Sequence, residues 1–523
     1  MRLTALYTLL VFIFLAQAIA QDETVAPVTV YRNVERIEFT GNTVISSDEL
    51  LKIVGIKPGQ LLTNVELSRG VQAITDAYRD RGYLAVVTGD IVAPFQETGV
   101  LRIPITEVHV SEVRIEGLQR TKEFAVRRLL EVQPGVLYSV AALRRDAERL
   151  FALNIFESVN ARLAEADEPG KIVVVWELVE RKRTGFITVG GSYSSRDNLV
   201  GSVTVTESNL QGLAEQIRLT ANVNSLDARL GGELLYYTPW VAPKTSMTLR
   251  AFDLASYRFG RDLVNGTDID RYYERGKGGQ ALFTRSLTNV RRLVGGIRYE
   301  NLNVANLPVQ LFIGNIPSQD GTVAAISGEY VTDLRDSVVY PTHGLLWRAV
   351  LEPGRVNLDD NGDNWITKGS VEIRRFFALD RIPVLPGQAA TRRPRVIATR
   401  LMAGTTVGDL PFFEQYFIGG LGSLRGYIEG RFWGDNMALA TVEYRQPFGR
   451  SFTGVAFVDA GDAWGSDFQF QPGVDTDFKQ HKGFSPRAGV GVGVRYTSEI
   501  GSFGLDFAWG EEFRTHITLG DTF

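Results

Sequence analysis

Two rhythms of hydrophobic and polar positions divide this chain. From residue 182 onward the period is two. In Gly501–Gly510 the odd positions hold Phe503, Leu505, Phe507 and Trp509, and the even ones Ser502, Gly504, Asp506 and Ala508. Ala488, Val490, Val492, Val494 and Tyr496 alternate with Arg487, Gly489, Gly491, Gly493 and Arg495. In the final run Phe513, Ile517, Leu519 and Phe523 oppose Arg514, His516, Thr518 and Thr522. Period two predicts strands, and a ring-rich face opposite a small or charged one suits lipid outside and water inside. A water-soluble sandwich also alternates, but the repetition of rings on one face favours a membrane barrel. Residues 182–523 accommodate about sixteen antiparallel strands of ~10 residues.

Upstream the rhythm is mixed and repeats. A strand over Val34–Asn42 containing Gly41 recurs as Val110–Leu118 containing Gly117, and Pro58-Gly59 recurs as Pro134-Gly135 at the same offset. A shared offset marks an internal repeat. In the first copy Ser46 with Glu49, and Thr63 with Glu66, fit capping boxes at helix starts. Leu67, Val71, Ile74 and Tyr78 then share a helical face, as do Leu143, Ala147 and Leu150 in the second copy. Each copy is expected to close with two strands, Leu84–Val92 and Val100–Thr106, then Ser158–Leu163 and Ile172–Val179. The expected boundaries are 1–20 for a signal peptide and 21–33 for a short linker. The two α+β modules take 34–107 and 108–181, and the barrel 182–523. Arg181-Lys182-Arg183 reads as a solvated junction or as a contact with phospholipid head groups.

Composition narrows the class. Arg2, the apolar Leu9–Leu15 and Ala18-Ile19-Ala20 fit a cleavable secretory signal, too short to span a bilayer, which needs ~20 residues. The absence of cysteine excludes disulfides, thiolate zinc sites and a lipid-modified N-terminus. A net charge of −4 gives no reason to expect nucleic acid. Mean hydropathy of −0.04 with 53 Gly fits a barrel better than a helical membrane protein. His109, His343, His481 and His516 have no metal spacing. Asp359-Asp360-Asn361-Gly362-Asp363 lacks the glycine position and the twelfth-position Glu of a calcium loop. Gly422-Ser423-Leu424-Arg425-Gly426 is not a nucleophile elbow, and no phosphate-binding Gly-x-x-x-x-Gly-Lys occurs. No catalytic residue, metal or cofactor is expected, and the chain reads as a non-enzyme.

Several segments resemble one family. The modules are similar to POTRA domains, and the barrel resembles the outer-membrane protein insertases of the BamA and TamA kind, also called the bacterial surface antigen family. The similarity runs through Gly190-Gly191-Ser192-Tyr193-Ser194, Glu207-Ser208-Asn209-Leu210-Gln211-Gly212, Tyr237-Thr238-Pro239-Trp240, and Asp333-Leu334-Arg335-Asp336 with Pro341 and Gly344. Its most specific stretch is Phe417–Tyr427, followed by Phe457-Val458-Asp459-Ala460-Gly461. The resemblance implies a loop folded back into the barrel, with Arg425 paired to Asp459, Gly426 making a tight turn, Tyr427 packed on the inner wall and Gly461 in the receiving strand. It also implies periplasmic modules on an outer-membrane barrel. Leu519–Phe523 looks like a terminal assembly signal.

First and last strands must meet to close a barrel. Gly185, Gly190, Gly191, Gly520 and the terminal Phe523 make that seam poor in locking side chains, and a weak seam leaves an edge able to template an incoming strand. The expected function is assembly of unfolded outer-membrane proteins, with a phospholipid or lipopolysaccharide bilayer as the second partner and room for accessory lipoproteins. A two-partner-secretion-type pore is the alternative, since those transporters also carry two modules. A porin-like barrel would leave modules and loop without a task.

Overall fold

The computed structural model describes residues 28–194, 198–224, 230–257, 273–305, 312–314, 319–338, 340–359, 362–380, 393–449, 451–472, 482–498 and 501–519. The signal at 1–20 lies outside them, as do Gly520 and Phe523. The chain divides into two compact units. Residues up to Thr184 together with Ser208–Ala214 form one, and Gly185–Glu207 with Glu215–Phe523 the other. Among the described residues no helix is long and apolar enough to cross a membrane.

The first unit contains two modules of the same plan. In the first, the strand Arg36–Thr40 runs parallel to Val100–Glu107, which pairs antiparallel with Ala85–Val87. Helices Ser47–Val54 and Asn64–Asp80 cover the sheet. Thr63 and Glu66 form the complete capping box, whereas Ser46 only accepts from the Glu49 amide. Ile74 and Tyr78 are buried on the inner helix face with Leu50, Leu101 and Ile103. In the second module His109–Glu116 runs parallel to Lys171–Glu180, which pairs antiparallel with Phe156–Glu165.

Two expectations need correction. The strand placed at Leu84–Val92 is only Ala85–Val87, and Val92–Thr98 is a helix. Asp90 Oδ1 accepts from the Val92 and Ala93 amides at 2.9 and 3.2 Å, a cap that outweighs the strand propensity of Ile91 and Val92. The supposed linker also contributes structure, because Val30–Asn33 pairs with Leu61–Thr63. Arg181 belongs to the second module's own packing, its Nε donating to Phe156 O at 3.1 Å.

A clasp repeats in the modules. Glu107 accepts from the Thr43 and Val44 amides at 2.6 and 2.8 Å and from Tyr78 Oη at 2.8 Å. Glu180 accepts from the Arg120 and Thr121 amides at 2.9 and 2.7 Å. Burial would raise the Glu107 carboxyl, but the Thr43 hydroxyl, the two amides and Tyr78 outweigh it and hold it below its ordinary range. Beside each clasp, Gly41 and Gly117 have φ of +80° and +88°, and a Cβ there would collide with the carbonyls of Ile105 and Leu178. The Ser208–Ala214 turn, which interrupts the barrel strands, joins this unit. Lys122 N donates to Gly212 O at 2.8 Å, and Asn209 Nδ2 donates to Thr121 Oγ1 at 2.9 Å.

The second unit is one antiparallel sheet of sixteen strands, running in sequence order from Gly185–Ser194 to Phe513–Leu519. Two short strands inside the loop at 408–435 stand apart from it. Val490, Val492 and Val494 are exposed on the outer face with Phe503, Leu505 and Trp509, while Asp506 and Ala508 turn inward and are buried. Residues on alternate sides of each strand thus meet opposite solvents, as the pleat dictates.

Candidate functional site

The loop at 408–435 connects Val396–Val407 to Asn436–Phe448 and lies within the sheet's enclosure. Tyr416–Ile418 pairs antiparallel with Phe432–Gly434, making a small hairpin whose tip is Gly419–Arg431. Ser423 Oγ stiffens that tip by accepting from Gly419 N at 2.9 Å and donating to Gly419 O at 3.1 Å. Gly426 has φ +90°, and a Cβ there would stand 2.5 Å from Gly510 N, so only glycine lets the turn press against the wall. Tyr427 packs beside it and its hydroxyl donates to Ala488 O at 3.1 Å.

Arg425, 4% exposed, fills a cage of charges. Its Nε and Nη2 reach the two oxygens of Asp459 at 2.7 and 2.9 Å, a bidentate pairing that fixes direction as well as charge. Its Nη1 reaches Glu443 Oε1 at 2.9 Å and Asp506 Oδ2 at 3.3 Å. Its backbone N also donates to Asp459 at 3.2 Å, and the guanidinium lies 3.4 Å from the centre of the Phe457 ring. Arg445 pairs with Glu443, and Arg495 with Asp506. Three guanidinium groups thus balance three carboxylates, the condition under which buried charge is tolerated.

The loop has a second seat. Glu414, buried in the short turn Phe412–Glu414, accepts from Arg298 Nη2 at 2.9 Å and Lys368 Nζ at 2.8 Å. Arg298 also reaches Glu352 at 2.9 Å and Glu300 at 3.2 Å. Close by, Phe412 meets Phe312, Phe417, Trp433 and Phe468 ring to ring. The loop therefore presents an anion to one part of the wall and a cation to another. Sequence reasoning named Arg425, Gly426, Tyr427 and Asp459 but missed Glu443, Asp506, Glu414 and Arg298. Gly461 lies in the Phe452–Trp464 strand beside Asp459, opposite Leu439. A Cβ there would meet Ala438 O at 2.7 Å, so its glycine permits close strand pairing.

The seam is the other candidate. Gly185, Gly190 and Gly191 lie in the first strand, paired with Glu207, Ser202 and Gly201 of the second. The first and last strands lie side by side. Yet they share no ladder among the described residues, and they form the two ends of the sheet order. In the first strand Ile187 and Val189 share one face and Phe186 lies on the other, all three with exposed side chains.

Comparison with known proteins gives the context. A family model described as "Omp85 superfamily domain" matches residues 209–523, and one described as "Surface antigen variable number repeat" matches 33–107 and 108–181. "Outer membrane protein assembly factor BamA" of Nitratidesulfovibrio vulgaris is 25% identical over 91% of this chain and 58% of its own length. "Outer envelope protein 80, chloroplastic" of Arabidopsis thaliana is 24% identical over 88% and 63%. The chain thus spans about three fifths of these relatives' length. Among solved structures, BamA of Haemophilus ducreyi lacking POTRA domains 1–3 aligns with TM-score 0.58 at 20% identity, over 93% of this chain and 98% of that one. CdiB from Escherichia coli aligns with TM-score 0.60 at 17% identity, over 96% and 92%. These two likenesses establish the fold.

Proposed function

We propose that this chain, which belongs to the Omp85 superfamily and sits in the outer membrane with its POTRA repeats in the periplasm, is an assembly factor for other β-barrels. The modules receive unfolded outer-membrane proteins by adding their strands to an open sheet edge, where backbone hydrogen bonds give affinity without sequence specificity. The barrel then offers its own edge. The observation that carries this reading is a sixteen-stranded sheet whose end strands lie together without a ladder among the described residues. Unpaired N–H and C=O groups facing lipid are costly, so an incoming strand that satisfies them is stabilised by doing so. No nucleotide is required, because burying lipid-facing side chains and closing hydrogen bonds runs downhill. Accessory lipoproteins remain compatible partners of the periplasmic modules.

Cysteine pairs placed in the Gly185–Ser194 and Phe513–Leu519 strands test it. In proteoliposomes fed an unfolded barrel protein, oxidation should stop client insertion and reduction should restore it. Undiminished insertion with the seam locked would overturn the reading. The second reading, a pore that exports one dedicated protein, draws support from the two modules and the CdiB-like fold. It predicts transport that continues with the seam locked but requires displacement of the loop at 408–435.

A further inference from the structure

We infer that the module-side rim of the barrel carries a binding face for anionic phospholipid head groups. The chain enters the first strand from the modules at Thr184–Gly185, so the turns on that end face the periplasm. Two of them, between Ala242 and Thr245 and between Ser286 and Arg291, lie against each other, with Ser286 N donating to Lys244 O at 2.9 Å. Lys244, Arg285 and Arg291 cluster there, and Arg375 sits at the same rim further along the sheet. All four are exposed, and none has a carboxylate partner among the described residues.

Their direction follows from the pleat. Arg285 shares a face with exposed Phe283, Arg291 with exposed Leu293, and Arg375 with exposed Ile373 and Phe377. Those apolar neighbours belong in lipid, which places the cations beside them at head-group level. The register brings Thr245, Thr332, Leu345 and Trp347 onto this face, and none is acidic. Asp333, whose amide donates to Val290 O, is already held by Arg335 in two 2.8 Å hydrogen bonds.

The far rim of the same strands is different. There Lys277 is paired with Asp253 at 3.5 Å, Arg275 with Asp253 at 2.6 Å, and Arg355 with Asp363. Lys277, Arg275 and Arg355 at the far rim are thus neutralised by protein carboxylates; at the near rim Arg395 is likewise held by Asp380 at 2.6 Å, but Lys244, Arg285, Arg291 and Arg375 are left open. An unneutralised arginine and lysine girdle beside apolar side chains matches the phosphate layer of the periplasmic leaflet, and net-negative lipids gain most from it.

The test uses the full chain purified in detergent and presented with phosphatidylglycerol and phosphatidylcholine together. Native mass spectrometry should show phosphatidylglycerol retained in preference. Neutralising K244Q, R285Q, R291Q and R375Q should weaken that preference by roughly fivefold for each charge removed, while K277Q with R355Q should leave it unchanged. Folding of each variant is checked by its heat-dependent gel shift, and the pair R285Q with R291Q serves if the quadruple variant fails to fold. Inorganic phosphate at millimolar concentration should not displace the lipid; displacement would mean a free-phosphate site and overturn the lipid assignment. So would a neutralised variant that keeps the preference, or a far-rim variant that loses it equally. The readout involves no client protein, so it stands or falls apart from the assembly reading.

Discussion

The modules and the barrel invert each other's interiors. Inside the first module lie Ile45, Leu50, Leu62, Phe95 and Leu101, with Glu107 as an isolated buried carboxylate satisfied by amides and hydroxyls of the fold itself. Inside the barrel lie Arg425, Arg445 and Arg495 against Glu443, Asp459 and Asp506, while valines and rings face outward. The difference follows from the solvent. Where water is outside, apolar burial drives folding and a buried charge must be saturated locally. Where lipid is outside, apolar side chains leave for the exterior and the interior becomes the phase in which ion pairs hold pieces together.

Removing charges from each interior sharpens the contrast. Arg425→Ala leaves three buried carboxylates short of their shared cation and should cost about 3–5 kcal/mol, read by urea unfolding of the full chain in micelles. It should also open the loop at 408–435 to protease. A loop that stayed protected would mean the cage does not seat it. Glu414→Gln should cost less, about 1–3 kcal/mol, because Arg298 keeps Glu300 and Glu352. The two seats share no hydrogen-bonding partner, so the double variant should equal the sum within about 0.5 kcal/mol. A larger departure would show that the loop is released as one body.

The smallest effect is expected in the module. Glu107→Gln should loosen it by about 1–2 kcal/mol at neutral pH, visible as faster amide exchange in module peptides of the intact chain. Because the folded carboxyl lies below its unfolded value, its stabilisation is complete above ~4.3 and is lost as pH falls through the folded value. The gap between variant and wild type should therefore close on acidification. A gap that widened in acid would break the clasp argument.

Much of this architecture could be written down from the sequence. Alternation at 487–496 and 501–519 identified which side chains face lipid, and chain length set the number of strands. The Arg425–Asp459 contact came from the family resemblance carried by Phe417–Tyr427 and Phe457–Gly461, which implies both partners. Glu443 and Asp506 were harder. Period two places them inward, between Val442 and Tyr444 and between Leu505 and Phe507, but every inward charge looks alike until register decides which ones meet. Glu414 sits in an aromatic stretch with no periodicity at all. The helix at Val92–Thr98 was hidden by β-branched residues at its start, and its signal was Asp90 two positions earlier.

The cage around Arg425 also ties the seating of the loop to the register of three strands. Its three carboxylates arrive on separate strands, Asn436–Phe448, Phe452–Trp464 and Gly501–Trp509. A one-residue slip in any of them would swing its acid toward hydrocarbon and empty part of the cage. The fully partnered tip needs the one alignment that points all three acids at it, so a seated Arg425 reads out the register of this whole arc.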